Sequence, residues 1–304
     1  MDEHPPKYIP IAELIETYDR HLSVRGLARK TRSIHRHVVQ KLLHHRFPNG
    51  QVAWDDFHFC DCAAFFKEEF ARLSKRETKR TWLMVVRSVL RYWAAEGYIP
   101  GGWDAALPRI PYYRQASLPR NLSEKQLADL ERACRQNKRQ HLRYRALLLL
   151  FWRLGVRLSE VVNLHLKDVD WRNGCLRIRS PKTHRERLLP LPEDVGKALA
   201  AHLRANRPHS LRVFESRRSP HSLDRAYYHV KNCMTYLFGL AGIRGHGTHA
   251  LRHTAAAEMV SGGASFKAVA EVLGHKSIST TLIYAKLDAK SLAQVALPWP
   301  GGAQ

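Results

Sequence analysis

A chain of 304 residues with 44% hydrophobic side chains has material for about two domains, and its longest apolar run, Ala146 to Trp152, falls well short of a membrane span of roughly 18 residues. Fifty Lys and Arg against 27 Asp and Glu leave a net charge of +23, which suits a polyanionic partner, nucleic acid being the commonest. Five cysteines, an odd number with no CxxC pair, argue against a disulfide framework, and no apolar segment follows a basic one at the N-terminus; a cytoplasmic protein with no membrane partner is expected.

The charge is uneven. Residues 1–110 carry 18 basic and 13 acidic side chains, and the remaining 194 carry 32 and 14, so the second part is expected to grip a polyanion harder. Charge alone leaves a ribosome-associated factor, an RNA binder and a membrane-surface binder open. Cys60 and Cys62 lie beside His58, but no second ligand pair follows at zinc spacing, so no metal is expected.

In chain order, Ile11, Leu14, Ile15 and Tyr18 recur at helical spacing and predict a first helix. A second runs from about Ala28 to Phe47 and ends at the breaker Pro48-Asn49-Gly50, with Ile34, Val38 and Leu42 as its apolar stripe. A third spans Cys60 to Leu73. A fourth runs from Arg76 to Glu96, with Leu83, Val86, Leu90 and Trp93 facing inward. Two basic stripes, Arg25, Arg29, Arg32 and Arg36, then Arg76, Arg80, Arg87 and Arg91, are candidate contacts to DNA backbones. Helix faces turned away from a core are also usually charged, so a solvated role stays open.

Prolines and glycines between Pro100 and Pro119 predict a linker over residues 99–120, after a helical domain over 8–98. The next domain, 121–297, opens at Ser123, with Gln126 at the capping-box position. Helices follow to about Arg153. Leu166 to Val169, Cys175 to Arg179 and Arg187 to Leu191 then read as three short strands, the first two joined at Asn173-Gly174. From Pro192 the chain is helical again, with breaks at Pro208, Gly239 to Gly247, Gly262-Gly263 and Gly274; residues 298–304 form a tail. The expected fold is mainly α with a small antiparallel β-sheet in the second domain.

The polar residues near the turns of that domain are the informative ones. Arg157 lies in Leu154-Gly155-Val156-Arg157-Leu158-Ser159-Glu160, at a helix start with Ser159 as a possible cap and Glu160 placed to orient the arginine. Lys182 lies in Pro181-Lys182-Thr183-His184, between the second and third strands. His249 and Arg252 are three apart in His249-Ala250-Leu251-Arg252-His253-Thr254, hence on one helix face. His275 follows Gly274, and Tyr284 follows nine residues later. Taken singly, each has a bland reading: a solvated HxxR pair, a common Gly-His turn, a core tyrosine.

As an ordered set they resemble the tyrosine recombinase, or phage integrase, family over about residues 8 to 290. That family places Arg in Gly-x-Arg-x-Ser-Glu, Lys in a β-turn, then His-x-x-Arg, Leu-Gly-His and Tyr. The turn here, Ser180-Pro181-Lys182-Thr183, departs from the family's frequent Gly-Lys-Gly, and Lys167 is the nearest competitor for the lysine's place. The resemblance implies a helical core-DNA-binding bundle ahead of a catalytic domain, and a covalent 3′-phosphotyrosine on Tyr284. Arg157 and Arg252 would hold the nonbridging oxygens, Lys182 would protonate the leaving 5′-oxygen, His249 would be the base and His275 would hydrogen-bond the phosphate. It implies double-stranded DNA as partner, a homo-tetramer on two DNA sites (a monomer or dimer off DNA), and neither cofactor nor metal. Residues 287–297 are the candidate segment for exchange between protomers. The simpler Xer-type or mobile-element architecture, without an arm-binding domain, fits best. A type IB topoisomerase, a non-catalytic DNA-binding protein of the same fold and an RNA-binding protein remain competing readings.

Overall fold

The computed structural model describes residues 8–111, 121–137, 140–180, 185–206, 208–215, 222–275 and 277–287. The chain divides into two compact units, residues 1–113 and 114–304. None of the described helices is long and apolar enough to cross a membrane.

The first unit runs β1 (Ile9–Pro10), α1 (Ile11–Val24), α2 (Arg29–Arg46), β2 (Gln51–Val52), α3 (Phe59–Arg72), α4 (Arg76–Ala95) and a short α5 (Trp103–Ala106). β1 and β2 pair antiparallel, Ile9 opposite Val52. The four long helices match the periodicity of the sequence, and Leu83, Val86, Leu90 and Trp93 of α4 are buried. The seam of α2 is shifted from the expected stripe. Ile34 is 40% exposed, and His35, Val38, Val39, Leu42 and Leu43 face the core. A polar partner explains the shift: His35 Nδ1 lies 2.9 Å from the buried Tyr18 hydroxyl, which also bonds Ser88 Oγ at 3.0 Å. A buried imidazole costs little once it is hydrogen-bonded. The unit also extends past the expected start of the linker. Ile99 and Leu107 are buried in its core, and Arg87 donates to the carbonyls of Asp104, Leu107 and Pro108.

The second unit opens with α6 (Glu124–Gln136), held by the expected reciprocal cap. The Gln126 amide donates to Ser123 Oγ, and the Ser123 amide donates to Gln126 Oε1 at 3.0 Å. α7 (His141–Arg153) carries the apolar run Ala146 to Trp152, all of it buried, and packs against α6, α9 (Glu193–Ala205), α10 (Leu223–Leu240) and α11 (Thr248–Ser261). Between α7 and α9 come α8 (Leu158–Val162) and a three-stranded antiparallel sheet of β3 (Val169–Asp170), β4 (Cys175–Arg179) and β5 (Glu186–Pro190), in register Leu176 opposite Leu189 and Ile178 opposite Arg187.

The first strand is shorter than expected. Leu166–Asp168 turns as a 3-10 segment, because the Asp168 carboxylate accepts from the His165 amide at 3.0 Å and pairs with Arg179 at 3.0 Å. Ser159 lies inside α8 and does not cap it; the Glu160 carboxylate serves the Arg157 amide at 2.8 Å. After α11, α12 (Phe266–Leu273) ends at Gly274, and 3-10 segments Ile278–Thr280 and Leu282–Leu287 follow. Ala256 and Val260 of α11 with Val269 and Leu273 of α12 form a small apolar cluster closed by the ring of Tyr284.

Candidate active site

The C-terminal end of α12 organises the site. Its last carbonyls have no partners within the helix and form the negative pole of the helix dipole, so they favour cations. Three consecutive carbonyls each take a different arginine. Val272 accepts from Arg187 Nε at 2.7 Å, Leu273 from Arg252 Nη2 at 2.6 Å and Gly274 from Arg157 Nη2 at 3.0 Å. Arg252 also donates through Nη1 to the Gly155 carbonyl. Burial, reinforced by Arg157, pushes Arg252 down to about 10, which leaves it protonated at neutral pH. A guanidinium has five N–H donors, so Arg157 and Arg252, with two used each, keep others for an anion.

Beneath them lies Glu160, whose side chain is 0% exposed. Its carboxylate accepts from Arg157 Nη1 at 3.0 Å and from Arg187 Nη1 and Nη2 at 3.0 and 2.9 Å. Burial pushes this acid up, but the hydrogen bonds and charge of Arg187, helped by Arg157, hold it below its ordinary value. Glu160 therefore stays ionised and fixes two guanidiniums at once. Two glycines allow the close approach. Gly274 sits at φ +63°, where an added Cβ would lie 2.8 Å from Arg187 Nη1; at Gly155, φ +58°, it would lie 2.6 Å from Leu273 Cδ2.

His275 follows the α12 cap. Its Nδ1 lies 2.7 Å from the hydroxyl of Thr281, which is fully buried, so the ring is fixed and Nε2 is left for another partner. Burial, then Arg252 and Arg157, push this imidazole down to about 4, so it is neutral at physiological pH. The Thr281 carbonyl accepts from the Tyr284 amide at 2.9 Å. Thr281 thus joins the two ends of the nine-residue interval. Tyr284 is 2% exposed. Its hydroxyl lies 2.7 Å from His253 Nδ1, the rings tilted at 55° with centroids 5.7 Å apart. Burial raises the phenol and the charge of Arg252 opposes the rise.

His249 is the expected base for Tyr284, but the residue in contact with the phenol is His253, one helical turn further along α11. His249 is exposed and its side chain makes no hydrogen bond among the described residues. Lys182 lies outside the described residues, as do 288–297 of the expected exchange segment. The strands that flank Lys182 are in place: the Ser180 amide donates to the Arg185 carbonyl at 3.0 Å, and β5 delivers Arg187 to Glu160. Lys167 is exposed in the 3-10 segment before β3.

The protein-family model described as the phage integrase family matches residues 120–291. This chain belongs to that family, the tyrosine recombinases. A Sinorhizobium fredii protein named as an integrase/recombinase, y4rA, is 35% identical over 99% of this chain and 74% of its own length. Two solved structures share the fold. XerH site-specific recombinase bound to palindromic difH substrate, a post-cleavage complex, has a TM-score of 0.72 at 20% identity, covering 94% of this chain and 84% of that one. A lambda integrase tetramer bound to a Holliday junction has a TM-score of 0.66 at 18% identity, covering 89% and 79%. As a tyrosine recombinase the chain is an enzyme of site-specific DNA recombination.

Three residues of this recombinase escaped the sequence reading. Arg187 ties β5 to Glu160 and α12, Thr281 seats His275, and His253 holds the Tyr284 hydroxyl. Only His253 had a signal in the chain: it is four residues past His249, hence on the same side of α11.

The basic stripes of the first unit are mixed in role. Arg32 bonds the Asp19 carboxylate at 2.9 Å, and Arg91 pairs with Asp104 at 3.6 Å. Arg87 is taken up by the carbonyls of the segment after α4, and Arg80 is exposed on α4. Arg25 stands at the C-cap of α1, not on α2. Arg29, Arg36 and Arg76 are exposed and their side chains make no hydrogen bond or ion pair among the described residues. Arg29, Arg32 and Arg36 line one groove with Asp19, Ser33, His37 and Gln40.

Proposed function

We propose that this recombinase cleaves DNA by attack of the Tyr284 hydroxyl on a phosphodiester, leaving a 3′-phosphotyrosine and a free 5′-hydroxyl. The observation that carries this reading is the convergence, at the end of α12, of two arginines with donors to spare, a neutral fixed imidazole and the hydroxyl-bearing end of a buried tyrosine. The pentacoordinate transition state carries extra negative charge on its nonbridging oxygens. Arg157, Arg252 and His275 offer N–H donors already held in place, which need no reorganisation as charge develops. The covalent ester conserves the bond for rejoining. Lys182, between β4 and β5 in the sequence, is the proposed acid for the leaving 5′-oxygen, and His249 a further hydrogen-bond partner of the phosphate.

Four strands are cut and rejoined in an exchange between two duplexes, so four protomers act together. The tetrameric lambda integrase complex that shares this fold supports that stoichiometry. Residues 287–297 are the proposed link between protomers, and exposed Arg29, Arg36 and Arg76 the proposed contacts to DNA backbones. The test starts by selecting a bound duplex from a random-sequence library, then nicks it so that cleavage is trapped. Wild-type protein should give a covalent protein–DNA band on a denaturing gel. Tyr284→Phe should bind the same duplex and give none; a covalent band from the Phe variant overturns the assignment.

A further inference from the structure

Resting on the reading of Tyr284 as nucleophile, we infer that His253 is a catalytic residue, the base that takes the phenolic proton through Nδ1 as the hydroxyl attacks phosphorus. The geometry comes first. The Tyr284 ring is packed into the apolar cluster of Ala256, Val260, Val269 and Leu273, so its oxygen is the one polar atom of the side chain and it meets His253 Nδ1 at 2.7 Å. That distance is within the reach required of a general base. His249, one turn earlier on α11, makes no such contact among the described residues. Arg252, next to His253 in the chain, is a protonated guanidinium donating to the carbonyls of Gly155 and Leu273; it has no lone pair to accept a proton and acts only as a nearby charge.

The protonation states agree with this geometry. Burial, then His249 and Arg252, hold the His253 imidazole below its usual value, so at neutral pH it is uncharged and has a lone pair. Burial raises the phenol, so it does not ionise unaided. An acceptor must therefore be in contact, and the tautomer with its hydrogen on Nε2 provides one at Nδ1. In the step itself, the Tyr284 O–H bond breaks and its proton passes to His253 Nδ1. The phenolic oxygen forms its bond to phosphorus, the bond from phosphorus to the 5′-oxygen breaks, and that oxygen takes a proton from the Lys182 ammonium. On rejoining, the 5′-hydroxyl gives its proton back to the neutral Lys182 amine as its oxygen bonds phosphorus, the bond from phosphorus to the Tyr284 oxygen breaks, and the His253 imidazolium returns its proton to the departing phenolate. One residue thus serves as base in cleavage and acid in ligation.

The test separates a base from a residue that only holds the phenol. The assay is the rate of covalent-adduct formation on the library-selected nicked duplex, with DNA binding measured in parallel. His253→Ala should slow the adduct by about 100-fold or more, the scale of general-base catalysis. His253→Gln should be slowed similarly, because an amide can hydrogen-bond the phenol but cannot take its proton; this variant keeps polarity and bulk if the Ala variant fails to fold. Installing 3,5-difluorotyrosine at position 284, whose phenol is more acidic, should shrink the His253→Ala defect to less than about 10-fold, since an easily ionised nucleophile depends less on a base. The defect of His249→Ala should be the same with either nucleophile. His253→Gln within about threefold of wild type, or a His253→Ala defect unrelieved by the acidic phenol, overturns the inference while Tyr284→Phe remains inactive. An adduct formed by Tyr284→Phe overturns the nucleophile reading itself, and this inference with it.

Discussion

Glu160→Gln probes the frame on which the site is built. The substitution keeps the volume of a side chain that is 0% exposed and removes its charge. Four hydrogen bonds end on the native carboxylate: Arg157 Nη1 at 3.0 Å, Arg187 Nη1 and Nη2 at 3.0 and 2.9 Å, and the Arg157 amide at 2.8 Å. A glutamine retains one acceptor oxygen, while its NH2 group faces donors. Arg187, only 13% exposed, is then a charge without a counter-ion. Breaking such a pair from one side costs about 3 to 5 kcal/mol, and the partly exposed Arg157 recovers some through water, so about 3 kcal/mol is expected. For a unit of this size that lowers Tm by about 10 °C. Removing both partners, with Arg187→Met added, should recover about 2 kcal/mol relative to additivity.

Buried thiols report on the two units separately. Cys134 and Cys233 lie in the second unit and Cys62 in the first, and burial pushes the Cys134 and Cys62 thiols up to about 12, so each reacts only on unfolding. Labelling against urea should move the Cys134 midpoint and leave that of Cys62 in place. A Cys134 shift worth less than about 1 kcal/mol would refute the reasoning, since the carboxylate would then not be what holds the arginines.

Acid should weaken the second unit in a defined window. His202 is 1% exposed, and burial, then Arg143, push it down to about 4, so the unfolded chain binds the extra proton. Stability present above pH about 6.5 is lost as the pH falls towards 4, by up to about 3 kcal/mol, and His202→Gln should flatten this slope in urea titrations. Gly274→Ala forces a left-handed residue to carry a Cβ against Arg187, at a cost of about 1 to 2 kcal/mol for the backbone alone. Adduct formation should fall more than DNA binding, because Arg187 and Glu160 must move. In the first unit, Arg29→Ala and Arg36→Ala should each lower the salt slope of DNA binding by about one without changing stability. Arg32→Ala should also lower the urea midpoint, since it removes the partner of Asp19.

The sequence by itself determined the helices and the family, and it singled out the candidate site residues. Periodic burial sets a helix face locally, so Leu83, Val86, Leu90 and Trp93 could be assigned inward from spacing alone, and Ser123 with Gln126 announced the start of α6. The order of Arg157, His249-x-x-Arg252, Gly274-His275 and Tyr284 pointed to the family because each motif is short-range. Tertiary structure alone decided which partners meet. Arg187 is 27 residues from Glu160 and 85 from Val272, and no spacing rule reaches across such separations. His35 displaced Ile34 from the core through its bond to Tyr18, against the apolar pattern of its own helix. Arg32, Arg87 and Arg91 read as one kind of residue with Arg29, Arg36 and Arg76 until the fold brought acceptors to the first group only. The same holds for the phenol. On one helix face His249 and His253 are equivalent by period, and the direction from which the Tyr284 segment returns to α11 places its hydroxyl on His253. Hydrophobic period and capping are properties of neighbouring residues, whereas a hydrogen bond between distant segments depends on how whole elements pack.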